Sequence, residues 1–313
     1  MIGHAADYND GMPKDGDDAR GGSERPDASV ARHSRTYHEN IYVYPVLSRR
    51  ARGISIGVNL NPDKVCNFDC IYCQVDRTTP PAVRRVDEDR LKQELIAILR
   101  EAKSGALFER PEFRSIPETV RAVRDITFAG DGEPPSYPNF RGVVEDVLAI
   151  KKTAGFPDLK VILLTNATLI DRPKVKEAMR LMDRDHGEFW LKLDAGTEEY
   201  YRLVDRTTIP LAKVLANILE AARVRPVVLQ SLFMRVRGEG PATGEIDAFC
   251  DRVREILAGG GAISLIQVYT VARRPAEPYV TPIPDDELDR IAARVQRRIA
   301  EVPVETFYSE RLT

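Results

Sequence analysis

Residues 53–73 read GISIGVNLNPDKVCNFDCIYC. The first part, 53–59, is a short β-branched run bounded by turn residues, which predicts a strand. It runs directly into a loop on which Cys66, Cys70 and Cys73 stand in C-x3-C-x2-C spacing. Thiolates at gaps of three and two residues can wrap one face of a cubane iron–sulfur cluster. A structural zinc site normally closes with four ligands. The fourth cysteine, Cys250, lies among apolar neighbours in AFCDRV, where a buried free thiol is expected. A disulfide would strand an odd thiol. Three cysteines leave one iron open for a bidentate small molecule, which is a catalytic arrangement.

Outward from this stretch, strand and helix signals alternate. Further strands are predicted at 124–129, 159–165, 188–194, 226–234 and 262–271, with VPVETFY (302–308) as one more candidate. Helical patterns fall at 87–103, 140–153, 172–184, 210–224, 243–258 and 285–300. In the first, Leu91, Leu95, Ile98 and Leu99 form one apolar stripe, and Asp87 is placed to cap it. Six strand–helix units in a row predict parallel strands with right-handed crossovers. Alternation puts Trp190, Lys192 and Asp194 on one face, Gln230 with Val228 and Leu232, and Gln267 with Leu265 and Tyr269. A doubly wound sheet buried on both faces should read as continuous apolar runs. Single polar residues on one face favour a barrel around a polar ligand, with the site at the C-terminal strand ends.

The chain has 313 residues, 43% hydrophobic and 30% charged, as in an ordinary globular protein. No stretch approaches 18 consecutive apolar residues, and residues 1–36 lack an apolar leader segment, so a cytoplasmic protein without membrane spans is expected. Residues 1–36 contain no Leu, Phe or Trp and read as a disordered tail, with one domain over 37–313. Acids and bases balance beyond the tail, unlike a dedicated nucleic-acid binder. The short runs Arg49-Arg50-Ala51-Arg52, Arg84-Arg85 and Arg273-Arg274 read as solvated surface charge. His186 is the only histidine beyond residue 38, so histidine acid–base chemistry is not expected.

The cysteine loop after the first strand of a six-unit β/α chain resembles the radical S-adenosylmethionine (SAM) superfamily. The resemblance implies a partial (β/α)6 TIM-like barrel, a [4Fe-4S] cluster on Cys66, Cys70 and Cys73, and SAM on the open iron. It implies an electron donor such as flavodoxin or ferredoxin. Tyr72 falls at the aromatic position near the adenine. FAGDGEP (128–134) resembles the Gly-Gly-Glu segment, which places Gly132 and Glu133 at the methionyl ammonium. Asn166 falls where the family contacts SAM, and Asp194 where a polar side chain binds ribose. Within the superfamily, NLNPDKVCNFDCIYCQVDR and KLDAGTEEYYRLVDRT resemble the wyosine-base-formation group, which implies a tRNA or small-molecule substrate. This chain lacks that group's second cysteine set. Lys192 and Gln267 are expected to orient a polar, anionic substrate, with a Lys192–Asp194 ion pair as the competing role. A zinc-binding regulatory module is the alternative from another class.

Overall fold

The computed structural model describes residues 37–309, so the tail read at 1–36 lies outside the described residues. The strands are β1 (Val43–Ser48), β2 (Gly53–Val58), β3 (Val123–Phe128), β4 (Lys160–Thr165), β5 (Gly187–Lys192), β6 (Val227–Val236), β7 (Ile263–Thr270), β8 (Val280–Pro282) and β9 (Val304–Phe307). The helices are α1 (Glu88–Ser104), α2 (Ala106–Glu109), α3 (Phe140–Thr153), α4 (Pro173–Asp183), α5 (Glu198–Asp205), α6 (Leu211–Val224), α7 (Thr243–Ala258) and α8 (Asp285–Arg298).

One curled sheet runs in the order β1-β2-β3-β4-β5-β6-β7-β9, with β8 paired to β6. Along that order every pair from β2 to β9 is parallel, while β8 lies antiparallel to β6. This is the partial barrel expected from the strand–helix alternation, and the six expected strands are β2 to β7. The candidate at 302–308 supplies β9 on the edge of β7. Asp87 caps α1 as read, accepting the Arg90 N–H at 3.1 Å.

Four elements differ from the sequence reading, among them the single-turn α2. The strand β1 precedes the first expected unit and pairs antiparallel with β2. Its Pro45 cannot donate to a ladder, which masks a strand signal but is tolerated on an edge. The helix α5 is only eight residues and heavily charged, and β8 is three residues long.

The sheet has two apolar layers. The large one lies between strands and helices, where Ile56, Phe128, Leu163, Leu191 and Leu229 meet stripes such as Leu91, Leu95 and Leu99 of α1. A small inner layer, Ile162, Trp190 and Val228 with Leu164 and Leu265, fills the middle of the barrel. The inward-facing residues follow the period-2 alternation.

Glu94 fixes the added strand. Its buried carboxylate, on α1, accepts the backbone N–H groups of Ile41, Tyr42 and Val43 at 3.0, 2.8 and 3.0 Å, and Arg90 pairs with it at 2.9 Å. Removing it orphans backbone donors, each worth roughly 1–3 kcal/mol when buried. Glu94→Ala is expected to destabilise the protein by about 3 kcal/mol in urea unfolding, and Glu94→Gln by less.

Candidate active site

Because β2 to β6 are parallel, their C-terminal loops converge on one rim. The cysteine loop leaves β2, Gly132 and Glu133 follow β3, Asn166 follows β4, and Asp194 lies two residues beyond β5. All of these, with Tyr72 and Lys192, line one cavity of about 300 Å³.

The cysteine loop is held from outside the motif. Ile71 is buried with Val204, Leu232 and Met234. Its N–H donates to Val204 O at 2.9 Å, and Asp69 N–H donates to Asp205 O at 3.2 Å. Ala276 N–H donates to Cys73 O at 2.7 Å, and Arg206 donates to Asp69 O at 2.6 Å. The thiols are half-buried. Cys66 Sγ accepts Phe68 N–H at 3.5 Å, Cys70 donates to Asp205 Oδ1 at 3.3 Å, and Arg77 donates to Cys73 Sγ at 3.9 Å. Burial pushes the Cys66 thiol up, and burial with the Asp205 charge pushes Cys70 well up. Thiolates here call for a cationic partner such as iron. Cys250 is fully buried inside α7, as expected from its apolar setting.

Gly132 and Gly130 leave no room for a side chain. A Cβ at Gly132 would stand 2.1 Å from Val65 O, and one at Gly130 would stand 2.3 Å from Asn59 Oδ1. The backbone of this segment is therefore packed directly against the cysteine loop. Asp131, which replaces a glycine of the family pattern, accepts Asn59 Nδ2 at 2.7 Å on the same side. Glu133 is buried, accepts Asn166 N–H at 3.0 Å and takes the Thr165 hydroxyl. Burial pushes its carboxyl up to about 7 against those two hydrogen bonds. Asn166 donates to Asn67 Oδ1 at 2.8 Å, tying β4 to the cysteine loop.

Lys192, half-buried, and the buried Asp194 form an ion pair at 3.0 Å. Asp194 Oδ1 also accepts Leu232 N–H at 2.7 Å, and Oδ2 lies 2.6 Å from the Tyr72 hydroxyl. Both oxygens are thus engaged within the protein. Lys192 donates to the Tyr269 hydroxyl at 2.6 Å and lies over the Tyr72 and Tyr269 rings at 4.8 and 5.0 Å. Burial opposes its charge, yet Asp194 and Tyr269 prevail and raise its pKa. The Tyr72 hydroxyl also lies 3.0 Å from Asp205, whose carboxyl is pushed up to about 7 by burial and by Asp194. The competing role read for Lys192, an ion pair, is formed in the structure.

Gln267 is not brought to this site. It accepts Gln230 Nε2 at 3.0 Å and lines a separate cavity of about 1150 Å³ at the opposite, N-terminal end of the strands. Alternation assigns a face but not a height, and strand tilt in a barrel staggers paired residues. Tyr269, two residues on, is the β7 side chain that reaches Lys192. Asp205, Thr165 and Asn67 were not singled out in the sequence. Asp205 lies within KLDAGTEEYYRLVDRT, but only the fold places it beside Cys70.

Comparison with known proteins identifies the family and the fold. Residues 60–241 match the family model of the Radical SAM superfamily. A UPF0026 protein of Helicobacter pylori is 25% identical over 246 residues, 78% of this chain and 70% of that protein. A radical SAM methyltransferase from Sphaerobacter thermophilus shares the fold at TM-score 0.60 and 13% identity, over 83% of this chain and 67% of that one. Streptococcus suis SuiB bound to S-adenosylmethionine aligns at TM-score 0.52 and 14% identity, over 83% of this chain and 49% of that one. The chain belongs to the Radical SAM superfamily, and it is a radical SAM enzyme.

Proposed function

We propose that this enzyme reductively cleaves SAM to act on a substrate seated inside the barrel. The reading rests chiefly on one observation: three half-buried thiols, a glycine backbone without room for Cβ, and the Glu133 carboxyl share one cavity on the C-terminal rim. When bound, a reduced [4Fe-4S] cluster would supply the electron for reductive cleavage of SAM, and SAM the means of hydrogen abstraction from a substrate C–H bond.

Cys66, Cys70 and Cys73 would each hold one iron, and the donor set fits that role. Among the described residues no three His, Cys, Asp or Glu side chains converge on a point to hold a single metal ion. A cluster takes one iron per thiolate and needs only that the thiols surround a shared space. Gly132 and Glu133 would meet the SAM ammonium, where a charge-assisted hydrogen bond contributes roughly 1.5–3 kcal/mol. Asn166 would fix the loop between them. Tyr72 would pack against the adenine while its hydroxyl keeps Asp194 and Asp205 in place. Lys192 acts as a positioning residue, since its charge is matched by Asp194. Among the described residues, no helix is long and apolar enough to cross a membrane.

The test is anaerobic reconstitution, dithionite reduction, and chromatography for 5′-deoxyadenosine. Wild type is expected to show the paramagnetic resonance of reduced [4Fe-4S] and to form 5′-deoxyadenosine. Alanine at Cys66, Cys70 or Cys73 should abolish both, and Cys250→Ala should keep both. Stoichiometric zinc with no paramagnetic signal in wild type would overturn the reading.

Glu133 gives a pH signature. Its folded pKa lies near 7, above the ordinary 4.5, so the folded empty protein binds more protons between those values. Stability then falls as pH rises from about 4.5 to about 7, by up to about 3 kcal/mol for that shift. Glu133→Gln cannot ionise. Thermal unfolding of the cluster-free variant should therefore gain on wild type between pH 4.5 and 8, while SAM affinity drops about tenfold or more.

A further inference from the structure

The Arg49-Arg50-Ala51-Arg52 run reads in sequence as solvated surface charge, and the structure places its first two members differently. They lie in the turn between β1 and β2, and both line the same cavity as the cysteines. Arg49 is only 9% exposed. Its Nη1 is buried with no hydrogen-bond partner, and no ion pair is formed by its guanidinium among the described residues. Burial lowers its pKa to about 10, with repulsion from Arg50 acting in the same direction and the Tyr269 phenol opposing. Arg50 stacks over the Trp190 and Tyr269 rings at 5.7 and 5.1 Å. Its charge also acts on the buried Asp125, a carboxylate already engaged with Ser55 and Thr127.

A buried guanidinium without a partner is costly to fold around. Most buried charges in proteins are paired, as Lys192 is here by Asp194 and Lys151 by Asp185 at 2.9 Å. Two adjacent arginines that repel each other inside a cavity leave room for one missing partner, an anion. The planar fork of a guanidinium suits carboxylate or phosphate.

Position decides whose anion this is. The turn precedes β2, whereas the cysteine loop follows it, and six strand residues span about 17 Å at ~3.3 Å each. The methionyl carboxylate of SAM belongs at the cysteine end. The arginines leave the backbone at the other end, with Arg50 stacked on Trp190 and Tyr269.

We propose that Arg49 and Arg50 form the floor of the substrate site and bind the carboxylate or phosphate end of the substrate. Its reacting C–H bond then faces the cysteine rim. This inference rests on the radical SAM reading above and assigns the substrate class: a molecule with one anionic terminus and a reactive carbon removed from it. Lys192, neutralised by Asp194, is not the anion receptor.

The test uses the anaerobically reconstituted full chain and two probes, acetate and inorganic phosphate, titrated calorimetrically with and without saturating SAM. Saturable binding of either probe is expected, and the tighter one identifies the terminus. Binding should persist with SAM present and weaken at least tenfold in both Arg49→Gln and Arg50→Gln. Arg290→Gln, at an exposed helical position, should bind as wild type does. Arg49→Gln should also raise the melting temperature of the unliganded protein, because it removes an unpaired buried charge. No saturable binding, equal binding by Arg49→Gln, a lowered melting temperature of that variant, or displacement of the probe by SAM would each overturn the proposal. Formation of 5′-deoxyadenosine in the same preparation reports the SAM chemistry separately, so the floor can fail while the enzyme reading stands.

Discussion

The Lys192–Asp194 pair is the contact on which the rim depends. Between them the two side chains touch four segments: the Tyr72 ring and hydroxyl from the cysteine loop, their own strand β5, the Leu232 N–H of β6, and Tyr269 of β7. The strand β6 runs on beyond the end of β5, which leaves Leu232 N–H without a ladder partner, and Asp194 takes its place. Losing one member of such a pair strands the other as a buried charge, at a cost of roughly 3–5 kcal/mol. A second carboxyl, Asp205, stands on the same tyrosine hydroxyl, so the rim holds two acids, one ammonium and two phenols in contact. Burial and the neighbouring Asp194 hold the Asp205 carboxyl near 7, with the single ammonium of Lys192 acting against them.

What the sequence made legible is what local spacing encodes. The three cysteines stand within eight residues, so their common loop follows from chain geometry. Glu133 and Asn166 follow from the family resemblance, and parallel strands deliver both of their loops to one rim. The barrel itself follows from polar residues appearing singly on one strand face. Gln267 shows where that logic stops. It has the inward face that alternation predicts, but its height in the barrel depends on tilt across several strands.

The features that escaped the sequence are long-range. Asp205 reaches Cys70 across 135 positions in the chain, and the Cys70–Asp205 contact exists only because α5 docks on the loop. The strand β1 was hidden by Pro45, and with it the fact that the 49–52 run is a hairpin turn. Once β1 pairs with β2, two arginines that look like surface charge turn into the cavity, Arg50 against Trp190. Charge runs carry no sign of burial in their composition; packing alone decides it.

Cys250 has a practical corollary. The chain has four cysteines, and its thiol is sealed inside α7 while the other three open onto the cavity. The four sulfurs therefore fall into two kinetic classes toward an alkylating reagent, which attacks the accessible thiolate. Among the described residues the rim trio alone opens onto the cavity, and iron bound to the loop would shield it. The fourth sulfur becomes reachable only when α7 separates from the sheet. Counting labelled sulfurs by mass thus reads loop occupancy and global unfolding on one molecule, as two independent dials.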